Sequence, residues 1–118
     1  MSIDFTLTPE LEDIRLRVRS FVDDVIKPGE AEIGATEDIE REDYLRILLG
    51  MRAKAQEAGI WLPHMPEEWG GMGLGHVELA MVQAEAAKTR LGPWVFNCQA
   101  SDEGNMHTLL HWATDDQK

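Results

Sequence analysis

Hydrophobic positions along the chain recur mainly at intervals of three and four. Leu11, Ile14, Val18, Phe21, Val22 and Val25 form one such series, preceded by Thr8 as an N-cap and Pro9 at the first helical position. The pattern predicts a helix over 9–26, halted by Pro28, with Glu12, Asp13, Arg15, Arg19 and Asp23 on its wet face. Scarce apolar residues and frequent carboxylates from Gly29 to Asp43 predict an exposed connection. A second series, Tyr44, Leu48, Met51 and Ala55, predicts a helix over 41–58 that is weakened by Gly50 and ended by Gly59. Residues 60–75 carry Pro63, Pro66 and four glycines, an irregular loop that Trp61, Leu62, Met65 and Trp69 would pack down. Val77, Ala80, Met81 and Ala84 predict a third helix over 76–88, broken by Leu91-Gly92-Pro93. Pro93 then opens a short piece through Trp94, Val95, Phe96 and Cys98, and Ser101 or Asp102 starts another with Met106, Leu109, Leu110 and Trp112.

Thr114-Asp115-Asp116-Gln117 has the form of a capping box, in which the Thr and Gln side chains satisfy each other's free backbone N–H groups. It announces a helix that Lys118 leaves without a body, so truncation of a longer protein is expected. No strand-period run, Asn-Gly or Asp-Gly hairpin turn, or internal repeat interrupts the pattern. The expected fold is all-α, a bundle of about five helices with a Trp/Gly/Pro-rich loop between the second and third.

With 118 residues, 43% of them hydrophobic, the chain can build one core and not two. Its formal charge of −11 would repel nucleic acid and anionic lipid, and no apolar run approaches the roughly 20 residues needed to span a bilayer. Cys98 is the single cysteine, so no internal disulfide can form, and no secretory leader pattern is present; a cytoplasmic location is expected.

Candidate chemistry is sparse. Gly70, Gly71, Gly73 and Gly75 precede a helix but lack the register and preceding strand of a dinucleotide fingerprint, and no P-loop lysine follows. Tight turns are the plainer reading. Glu103, His107 and His111 fall at i, i+4 spacing and could offer a carboxylate and two imidazoles to a metal; the zinc-protease pattern is missing, and an exposed helix face explains them equally, so no metal is assigned. Cys98 reads as a small buried hydrophobe, and His64 and His76 as capping or packing residues. No nucleophile–base–acid set can be assigned.

Three ordered motifs carry a resemblance. Gly59-Ile60-Trp61, then Pro66-Glu67-Glu68-Trp69-Gly70-Gly71-Met72-Gly73-Leu74, then Ala113-Thr114-Asp115-Asp116-Gln117-Lys118 resemble the N-terminal helical domain of acyl-CoA dehydrogenases. Phe96-Asn97-Cys98 and Gly104-Asn105-Met106 are similar to the long- and branched-chain branch. Ala113 departs from the family's usual glycine, so the turn before Thr114 is expected to avoid the left-handed geometry that glycine permits. The resemblance implies an FAD-dependent oxidation of an acyl-CoA between Cα and Cβ by a homo-oligomeric enzyme. Its middle β domain, its C-terminal α domain, the catalytic glutamate and most of the flavin site would all follow Lys118. It also implies that Phe96, Asn97, Ala100, Ser101 and Gly104 line the acyl pocket, although such small residues also let helices pack closely. A different class stays open: a non-catalytic interaction or dimerisation module from a truncated paralogue.

Overall fold

The computed structural model describes residues 2–118. Thr8 caps α1 (Pro9–Phe21), its hydroxyl accepting from the Leu11 N–H at 3.3 Å, and Glu10 and Glu12 sit at the positive end of the helix dipole. The chain then widens into a π turn, Val22–Ile26, in which the Lys27 N–H reaches the Val22 carbonyl, and continues as α2 (Lys27–Gly34). The expected stop at Pro28 is therefore corrected. Proline lacks an N–H and its ring crowds the carbonyl four residues back, but the widened turn immediately before it loosens the ladder there. Continuing the helix also buries Ile33, and brings Gly29 against the Met51 thioether. The connection expected over 29–43 is thus helical through Gly34.

α3 (Arg41–Glu57) ends as expected at Gly59, which takes φ +70. The Gly59 N–H donates to Gln56 and the Ile60 N–H to Ala55, each at 3.1 Å, the paired bonds of a Schellman closure. Ile47, Leu48, Met51 and Ala55 face the core. α4 (His76–Ala86) is rotated relative to its expected face: Val82, Glu85 and Ala86 are buried, while Val77 is 62% exposed and Ala80 and Ala84 face outward. Its packing against α1 brings Glu85, a residue that an apolar count assigns to solvent, beside the arginines of α1. α5 (Gly92–Val95) and α6 (Asp102–Trp112) follow, with single 3-10 turns at Glu67–Trp69 and Asp115–Gln117. In the second of these both halves of the capping box are formed.

Because α1, the π turn and α2 make one continuous rod, the described residues comprise five helical bodies and no strand. The core lies where this rod meets α3, α4 and α5, around Val18, Val22, Ile26, Val82 and Phe96. Loop 60–75 is packed down over its first half, as expected, whereas Trp69, expected as an anchor, is 43% exposed. Pro63, His64 and Met65 are buried, and the Leu62 N–H donates to the Phe96 carbonyl at 3.1 Å. No described helix is long and apolar enough to cross a membrane.

Candidate functional site

The five residues expected to line a pocket fall at the α5–α6 junction, but on two different layers. Phe96 is fully buried, its ring centroid 5.5 Å from that of Phe21. Asn97 takes φ +55 and is 8% exposed, its side-chain carbonyl without a partner. Ala100, Ser101 and Gly104 lie on the surface. The junction thus brings together a buried pair and a surface trio.

Beside it, loop 60–75 and α6 enclose a shallow groove of about 140 Å³ lined by Met65, Trp69, Met106, Leu109, Leu110 and Lys118. Apart from the lysine the lining is thioether, indole and aliphatic, which suits a hydrocarbon segment and offers little to a polar one. None of the five expected residues lines it. The signal that could have found it was α6 itself, whose Met106, Leu109 and Leu110 repeat at helical spacing although α6 contains no fully buried residue.

A polar cluster adjoins the groove. His64 is 7% exposed and neither ring nitrogen has a hydrogen-bond partner; its centroid lies 5.4 Å from that of His107, which stacks on His111 at 6.3 Å. Burial holds the His64 pKa below its ordinary value; the Glu103 carboxylate opposes that and the neighbouring His107 reinforces it. Glu103 accepts from Gln83 Nε2 at 2.9 Å. Burial, with Glu103 adding in the same direction, pushes the Cys98 thiol up to about 12, so it is no ready nucleophile. Glu103, His107 and His111 do not converge on a metal geometry, and no group of three such ligands does among the described residues. His76 lies exposed at the start of α4.

The glycine-rich loop spends its amides internally. Gly70, Gly71 and Gly73 donate to the carbonyls of Glu67, Pro66 and Met65 at 2.9, 3.1 and 2.9 Å. A Cβ at Gly71 would overlap the Met65 carbonyl, so close backbone packing explains that glycine. With three of its four glycine N–H groups committed and the Glu67 and Glu68 carboxylates exposed alongside, the loop is a poor fit for the diphosphate of FAD. The tight-turn reading holds.

The remaining buried charge is structural. Glu85 accepts from Arg19 at 2.9 and 3.3 Å, from Lys88 at 2.6 Å and from Arg15 at 3.4 Å, clamping α4 to α1. Burial alone would raise its pKa, but the bonds from Arg19 and Lys88 and their positive charges outweigh that and hold it below the ordinary carboxylate value.

The described residues thus form an all-helical domain with one apolar groove between loop 60–75 and α6. The family is then given by comparison: the pattern of the acyl-CoA dehydrogenase N-terminal domain matches residues 8–118, and the chain belongs to that family. It is 28% identical over 119 residues to acyl-CoA dehydrogenase family member 11 of Homo sapiens, covering 97% of this chain and 15% of that protein. The Gallus gallus protein of the same name is 32% identical over 114 residues, covering 91% of this chain and 14% of its own length. A solved Mycobacterium abscessus structure, named for the acyl-CoA dehydrogenases, superposes with a TM-score of 0.80 at 28% identity, over 97% of this chain and 30% of that one. The chain thus spans about one seventh of the length of these two relatives.

Proposed function

We propose that this chain is the substrate-side helical wall of an FAD-dependent acyl-CoA dehydrogenase acting in the cytoplasm, in which the groove between loop 60–75 and α6 receives part of the acyl tail. The observation that carries the reading is this groove, apolar on five of its six lining residues, in a chain matched to the family over residues 8–118. Burial of hydrocarbon there gains about 25 cal/mol per Å² removed from water, without any directional bond. On this reading Ala100, Ser101 and Gly104 border the tail, whereas Phe96 and Asn97 act by fixing the α5–α6 junction. FAD and the catalytic carboxylate belong to residues outside this chain, as do the contacts of a homo-oligomer.

Expression of the chain together with the sequence its gene carries downstream is the test. The expected product is yellow and reduces an electron acceptor with an acyl-CoA, and Leu109→Trp, which fills the groove, raises KM for the acyl-CoA about tenfold, or about 1.4 kcal/mol. A colourless, inert protein would sink the proposal in favour of a non-catalytic interaction module, the reading otherwise supported by the exposed Trp69, Leu109 and Trp112.

A further inference from the structure

The attachment of α6 differs from that of the other long helices. It has no buried residue and no extensive packing partner among the helices; it faces Met65 and Trp69 across the groove, and is tied down by the Gln83–Glu103 hydrogen bond and by the His107 ring beside His64. His64 is the singular member. It is more than nine-tenths buried, and both its nitrogens lack a partner. We propose that His64 makes α6 an acid-released flap, closed over loop 60–75 while the imidazole is neutral and opened when the ring must take up a proton.

A protonated His64 in place would be a buried cation with no acceptor at either N–H, a few ångströms from a second imidazole. Moving α6 away returns the ring to water. The ionisable groups facing it from α6 are Glu103, which favours the cation, and His107, which opposes it once charged; Cys98, on the connection before α6, stays a neutral thiol. Glu103 is moreover engaged with Gln83 of α4. Burial dominates, so the closed state binds His64's proton more weakly than the open one. The sign follows: closure is unpenalised above the open-state pKa of about 6.5 and weakens as pH falls below it, by up to tenfold in the closed-to-open ratio per pH unit, until the closed-state pKa is reached. This device is independent of whether the groove holds an acyl tail.

Amide hydrogen exchange of the chain, corrected for intrinsic exchange chemistry, reads it between about pH 7.5 and pH 5. Protection of Asp102–Trp112 should fall with acid by up to about tenfold per unit below about pH 6.5, while that of Pro9–Phe21 holds. In His64→Leu, which keeps an apolar plug, the fall should vanish. A pH-independent α6 in the native chain, or the same fall in His64→Leu, overturns the proposal. Should that variant fail to fold, an NMR titration of His64 in the native chain decides: protonation in step with α6 opening supports the flap, and protonation with α6 still protected refutes it.

Discussion

Individual side chains here divide into those whose role is local and those whose partner lies far along the chain. Phe96 belongs to the second kind. It sits after a four-residue helix too short to show a period, so the sequence offers it as a pocket residue by resemblance, whereas the fold sets it against Phe21. Phe96→Ala should cost about 3–5 kcal/mol, read as a lowered urea midpoint at an unchanged slope. Glu85 was equally illegible, since its arginines lie 66 and 70 positions upstream. Glu85→Gln leaves Arg15, Arg19 and Lys88 short of an anion; their partial exposure moderates the loss to about 1–3 kcal/mol at neutral pH. Because its folded pKa is depressed, Glu85 contributes fully above its unfolded value of about 4.3 and loses that contribution as pH falls through the folded value. The stability gap between native and Glu85→Gln chains should accordingly shrink as pH falls below about 5 in parallel urea titrations.

Helix starts and stops with local causes were readable: the Thr8 cap, the Gly59 closure and the Thr114 capping box all form. What the sequence hid was the passage through Pro28, because its compensation, a π turn and the burial of Ile33, depends on tertiary packing. The rotation of α4 was hidden for the same reason. Gly50, read as a weak point in α3, offers a clean check of intrinsic propensity: an added Cβ meets nothing within 4 Å. Gly50→Ala should therefore stabilise the chain by about 0.5–1 kcal/mol, raising Tm by roughly 2–8 °C in calorimetry. Gly71→Ala should do the reverse, since its Cβ would strike the Met65 carbonyl and unseat the loop that forms one side of the groove.

At the scale of the molecule two forces oppose each other. The formal charge of −11 keeps copies apart, while Phe5 at 83%, Trp112 at 86% and Leu109 at 50% exposure leave apolar area uncovered. Leu109 and Trp112 are one helical turn apart on α6, so their areas add on one side of the groove. Electrostatic repulsion is screened over about 10 Å at 0.1 M salt and about 3 Å at 1 M, whereas hydrophobic attraction does not weaken with added salt. Self-association should therefore rise with sodium chloride, the opposite of what an assembly built on ion pairs would do. Sedimentation velocity on the isolated chain should show a weight-average mass that grows from low to high salt, with Trp112→Ser reducing the growth. A chain that stays monomeric at about 1 M salt would mean that these side chains are too dispersed to act as one surface.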